Sequence, residues 1–241
     1  MRFLDQGPYL GDVSICTKRD VAVNPRRRFL GQTTWAIAGI VLPWSANVSA
    51  ADRPIHELRG NVKINGKNAT ADSVINPGDT VVTGTDGYIV FVIGESAFML
   101  RSRSELVVEK PHPEAFGAVY GLIRLLTGAL GATFKKGTPA GLRIANATIG
   151  IRGTGIYMET RGTGTYFCTC WGKTEITIAD AQVQKEIIDA TRHNPRFIAQ
   201  KALENGSFFM PALFETHTDA EMDILEKCVS RRAPWIATGH A

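Results

Sequence analysis

Long apolar runs are missing from this 241-residue sequence. The best stretch, Thr33 to Leu42, falls well short of the ~20 residues a helix needs to cross a bilayer, so no stable membrane span is expected in the mature chain. Cysteine is scarce, with four residues at positions 16, 168, 170 and 228, and the chain is long enough to bury a core without covalent staples. An excess of one charge is also lacking. The formal net charge is +4, but Met1–Ala50 holds six of the 27 Lys/Arg and three of the 23 Asp/Glu, which leaves +1 for the remainder. That balance offers no basic footprint for nucleic acid or an anionic membrane. No Ser/His/Asp set, Gly-rich phosphate loop, paired-carboxylate motif or Cys-x-x-Cys spacing is visible, and enzymatic activity is not expected.

What is present begins with a leader. Arg26-Arg27-x-Phe29-Leu30 resembles a twin-arginine export signal, the moderately apolar run follows it, and Val48-Ser-Ala50 supplies small residues for a signal peptidase. The expected product starts at Ala51 and is periplasmic. Beyond it, short strand-like segments recur with turn signals about every ten residues, the signature of a mainly β fold. Asn65-Gly66 suits a two-residue hairpin turn, Asn76-Pro-Gly-Asp79 and Thr85-Asp-Gly87 mark further turns, and Tyr88–Ile93 is continuously apolar, as in a strand buried on both faces. The expected architecture is an antiparallel β sandwich, roll or solenoid-like stack with a C-terminal α-helix packed on it. Residues 1–50 are the signal peptide, 51–180 the β domain and 181–241 a C-terminal extension. Lys110-Pro-His-Pro-Glu114 and Lys135-Lys-Gly-Thr-Pro139 read as exposed loops, and His112 as solvated.

The stretch around which this body is organised is Ala147–Thr160, with Ile149, Ile151 and Ile156 set among Gly150, Gly153 and Gly155. It reads as two strands meeting at a Gly-Thr-Gly corner with Arg152 beside the bend. A β-bulge with a solvated arginine is one account of it; a binding corner formed by Arg152, Gly153 and Thr154 is the other. Ala147-Thr-Ile-Gly-Ile-Arg-Gly-Thr154 resembles the closing motif of the FecR-type periplasmic domain. Gly60–Ala69 resembles that family's opening hairpin, Ile75–Gly84 its Gly-Asp-x-Val-x-Thr-Gly turn and strand, and Leu122–Leu130 the strand that follows. Gly94-Glu-Ser-Ala departs from the turn expected at its place. The resemblance spans about Arg59 to Tyr157. It implies a protein-binding and signalling domain in the cell envelope, in a family that relays the state of an outer-membrane iron-siderophore receptor to a sigma factor. Only 25 residues precede the arginines, too few for a folded sigma-binding domain. The expectation is therefore a soluble FecR-like module, possessing strand edges or an Arg152 corner for an envelope or outer-membrane protein or a glycan, with iron-transport regulation as the family's link.

Tyr166-Phe-Cys-Thr-Cys-Trp-Gly172 carries the alternative. A period of two sends Cys168 and Cys170 to one face of a strand. A disulfide between them is disfavoured, because same-face neighbours lie about 6.5–7 Å apart at Cα. Three readings stay open: packing as small hydrophobes with one bridge to Cys228, a zinc, copper or iron site completed by His193 or His217, and thiol redox chemistry. Read singly, His193 is a surface turn residue and His217 solvated. Residues 183–190 tilt towards strand, and His193-Asn-Pro leads into an extended piece. Thr218-Asp-Ala-Glu221 is a capping box opening a helix from Asp219 to about Arg232. Ile224, Leu225, Cys228 and Val229 would be its buried stripe, Glu221, Asp223, Glu226 and Lys227 its wet face, and Pro234 its stop. Tyr157, Tyr166 and Trp171 could form a glycan platform, though core packing accounts for them as well.

Overall fold

A computed structural model describes residues 54–110, 122–137, 139–179 and 184–237. The export residues Arg26, Arg27, Phe29 and Leu30, and His112, lie outside these. Fifteen strands and two short helices make up the described part: β1 (Ile55–Arg59), β2 (Val62–Ile64), β3 (Lys67–Asn68), β4 (Thr80–Thr83), β5 (Tyr88–Ile93), β6 (Ser96–Leu100), β7 (Glu105–Val108), β8 (Leu122–Thr127), β9 (Ala129–Thr133), β10 (Pro139–Arg143), β11 (Ala147–Arg161), β12 (Gly164–Ile178), β13 (Lys185–Ala190), β14 (Asn194–Ala199), β15 (Phe209–Pro211), α1 (Asp219–Cys228) and α2 (Pro234–Ala237). The fold is mainly β, as the turn spacing requires. All strands belong to one curled sheet, antiparallel except where β8 runs parallel to β10.

The turn chemistry acts as its residues dictate. Asn65 and Gly66 take φ of 51° and 78° between β2 and β3, and Asp79 accepts a hydrogen bond from the Asn76 amide at 2.7 Å. Gly94 closes the β5–β6 hairpin at φ 59°. Leu122–Leu130 is two strands rather than one, because Gly128 at φ 84° breaks the run.

The two long strands β11 and β12 hold the sheet together. One edge of β11 pairs first with β10 and then with β9. The outer edge of β12 pairs with β14 over residues 164–169 and with β13 over 172–177, so the sheet continues past residue 180. The predicted Gly-Thr-Gly corner is a bulge within the single strand β11, not a junction of two strands, and β12 bulges opposite it. Gly153 and Gly172 permit this at φ 60° and 84°; a Cβ on Gly172 would come 2.7 Å from the Gly153 carbonyl oxygen.

The paired bulge inverts the alternation of both strands. Ile149 and Ile151 face the inner core before it and Ile156 and Met158 after it, while on β12 Phe167 faces that core before the bulge and Ile176 and Ile178 after it. Tyr157, Tyr166, Cys168 and Cys170 are therefore directed to the outer face, into a second cluster with Val90, Met99 and, from the C-terminal segment, Met222, Leu225 and Trp235. Without the shift both cysteines would point into the inner core.

Helix α1 has the expected capping box but is shorter than predicted. It ends at Cys228 because the amides of Val229, Ser230 and Arg231 turn back to carbonyls of Glu226 and Lys227, with Ser230 at φ 59°. Pro234 does not stop it; it occupies the first position of α2, where a missing N–H costs nothing. The expected wet face is also corrected. Glu221, Asp223 and Glu226 are buried because each meets a cation: Arg101 at 2.6 Å, Lys227 at 2.6 Å and Arg231 at 2.8 Å.

Candidate metal centre

Cys168 and Cys170 are both buried and both free, so neither bridges to Cys228. Between the segments of β12 that pair with β14 and β13, the turn joining β13 to β14 passes beside Cys170, and the His193 amide donates to the Cys170 carbonyl at 2.9 Å. His193 has φ 30° there, a left-handed value that a non-glycine residue holds only when its surroundings impose it. Its Nδ1 lies 3.8 Å from the Cys168 sulfur. From the other side, the segment before α1 brings His217 Nε2 to 3.4 Å from the Cys170 sulfur. The four donor atoms of Cys168, Cys170, His193 and His217 all fall within 4.8 Å of one another.

This spacing fits a metal. Tetrahedral zinc, with Zn–S of about 2.3 Å and Zn–N of about 2.0–2.1 Å, places its ligand atoms roughly 3.3–3.8 Å apart. Two of the four Cys–His edges, Cys168–His193 and Cys170–His217, already match, and the other edges need to close by at most about an ångström. The outer nitrogens are fixed as ligand histidines require. His193 Nε2 is 2.6 Å from Asp219 Oδ1, and His217 Nδ1 is 3.1 Å from the Glu215 carbonyl oxygen, which accepts its proton. Asp219 is also paired with Arg192.

The electrostatics agree. The Cys168 thiol is drawn down to about 4, chiefly by the hydrogen bond from Cys170 and with further help from His193 and His217. Burial pushes Cys170 up, and the Cys168 thiolate beside it adds to the rise. Burial opposes a charge on His193, but its bonds to Cys168 and Asp219 outweigh it and raise its pKa. Two thiolates and two neutral imidazoles cancel the charge of a dication, as Arg192 does for Asp219, so a loaded centre carries little net charge into the interior. Aromatic rings wall it: Tyr157 stacks on His217 with centroids 4.4 Å apart, Phe214 lies 4.0 Å from His193 and Trp235 5.4 Å from it.

Of the predicted candidates, the structure joins Cys168 and Cys170 to both histidines rather than one. It corrects the single-residue readings of each: the His193 side chain is only 7% exposed and His217 is buried. Asp219 and Arg192 carry no sequence motif of their own; the cap at Thr218 marks Asp219 as the first residue of the helix but not what it faces. The Arg152 corner is elsewhere in chemistry. Arg152 is exposed, but Thr154 is buried and donates its hydroxyl to the Trp171 carbonyl. Tyr157, Tyr166 and Trp171 are core, not a platform.

No family model and no curated protein matches this chain. Among solved structures, two crystal structures of a candidate anti-sigma factor from Parabacteroides distasonis, at 1.65 and 2.50 Å resolution, are similar to it in part. Each aligns at a TM-score of 0.43 and 10% identity over 55% of this chain, which spans 58% of that protein's length.

Proposed function

We propose that this chain is a non-enzymatic, exported FecR-like binding and signalling module built around a Cys2His2 zinc centre. The observation that carries the metal reading is the convergence of four soft and borderline donors from three separate pieces of chain, each histidine already oriented through its second nitrogen. Four protein ligands complete a tetrahedral shell and leave no position for a reacting water, which suits a structural or sensing metal rather than a catalytic one. The four FecR-like motifs support the module and its periplasmic setting. An envelope or outer-membrane protein, or a glycan, would be its partner, with iron-transport regulation as the family's connection. Open strand edges such as that of β13, where Ile187 is 59% exposed, offer strand addition as the binding mode.

The test is elemental analysis of the protein purified from the periplasmic fraction, beside the Cys168→Ser/Cys170→Ser variant. One zinc per wild-type chain and none in the variant is expected, with cobalt substitution giving the strong visible bands of a tetrahedral thiolate site. Equal, substoichiometric metal in both proteins would sink the metal reading. If Cys168 then alkylated fast at neutral pH, the Cys168–His193–Asp219 alignment would instead mark a reactive thiol.

A further inference from the structure

The four donors are not spread evenly over the fold. Three come from β12 and its flanking turn, whereas His217 arrives on the segment that becomes α1. It sits one residue before the cap Thr218, and Asp219, the first residue of the helix, backs His193. The start of α1 is thus the outer wall of the centre. We propose that metal occupancy and the docking of the C-terminal cover, residues 212–237, on the outer sheet face form one coupled equilibrium in which the metal is the latch; this rests on the metal reading above.

The cover would gain from such a latch. A ten-residue helix does not persist in water alone. Its docked face mixes apolar and charged groups: Met222, Leu225, Cys228, Ala233 and Trp235 lie in the cluster of Val90, Met99 and Tyr157, while Glu221, Asp223 and Glu226 are buried in ion pairs. Buried ion pairs contribute little once desolvation is counted, and Arg101 Nε and Asp223 Oδ1 are buried without a hydrogen-bond partner among the described residues. At the far end, Arg231 donates to the Glu95 carbonyl at 2.6 Å and lies 3.2 Å from the Thr133 hydroxyl. Metal bound at one end and packing along the rest act on the same segment, so each strengthens the other by the same factor.

Two reciprocal measurements test the latch in the full mature protein. Zinc affinity is read by competition with a chromophoric chelator for wild type, Leu225→Ala and Arg231→Ala, neither of which touches a ligand. Affinity is expected to fall roughly 5- to 150-fold, the range of ordinary coupling, with one zinc per chain retained. Amide exchange with and without zinc should then show α1 and residues 212–218 opening at least tenfold faster in the metal-free protein, while β4, β7 and β11 keep their protection. Wild-type affinity in both variants, unchanged α1 exchange, or loss of protection throughout the sheet would each overturn the latch. Failure of wild type to bind zinc at all in the same titration would mark failure of the metal reading itself. Because Arg231 is the partner of buried Glu226, the double variant Arg231→Ala/Glu226→Gln, which strands no carboxylate, keeps the test decisive if a single variant does not fold.

Discussion

At the scale of single residues, the centre is defined by protons. In the metal-free chain Cys168 is already a thiolate, Cys170 is held as a thiol and His193 is biased towards imidazolium. A metal must displace the proton on Cys170 and a share of the one on His193. Between one and two protons should therefore be released on binding near pH 7, and affinity should rise with pH, by about tenfold per unit for each proton released. Calorimetric titration in two buffers of different ionisation enthalpy measures this; no proton release would contradict the charge states. Asp219→Asn should lower zinc affinity about 10- to 100-fold while leaving stoichiometry unchanged, because it loosens His193 without removing a donor. This level was the least legible in the sequence. The same-face pairing of Cys168 and Cys170 followed from a period of two, but His193 and His217 each looked solvated, since a lone histidine gives no sign of what the chain will bring to it. Their burial is the product of the β13–β14 turn and the α1 cap, both of which were visible as local signals while their meeting was not.

At the scale of elements, local chemistry is legible in the sequence and the ends of elements are less so. The hairpin at Asn65-Gly66, the strands at 88–93 and 185–190 and the capping box at Thr218 form as their residues demand. The wet and dry faces of α1 were mistaken because amphipathic reasoning assigns carboxylates to solvent, and only the tertiary fold supplies Arg101, Lys227 and Arg231 as partners. Arg101→Met should accordingly destabilise the protein by about 3–5 kcal/mol, since it strands the Glu221 carboxylate in the interior, and adding Glu221→Gln should recover much of the loss. Urea unfolding of the single and double variants decides it. The paired bulge is the second element with a measurable role. A Cβ at Gly155 would sit 2.2 Å from the Trp171 ring, whose neighbour Trp235 lies 5.0 Å away, edge to face. Gly155→Ala should cost about 1–3 kcal/mol through overpacking, and it should blunt zinc binding by shifting the strand that carries Cys170.

At the scale of the whole molecule, a long β11–β12 ribbon carries limbs on both edges and a helical cover outside. The mainly β class and the C-terminal helix were readable from turn spacing and a cap; the curl of one continuous sheet was not, because it depends on which halves of β11 the remote strands β9 and β10 choose. Replacing Arg26 and Arg27 by lysine should retain the full-length chain in the cytosol, detected by fractionation, if the leader acts as its resemblance implies. The distribution of ligands along the chain has a bearing on that journey. The donors span residues 168 to 217, so the nest cannot exist until the chain has been synthesised past His217 and folded. Because thiolate and imidazole sites hold copper(II) more tightly than zinc, supply rather than affinity would choose the ion such a centre takes up. A protein carried across the inner membrane already folded would arrive with its cargo fixed by the cytoplasm, and one threaded through unfolded would take whatever the outer compartment offers.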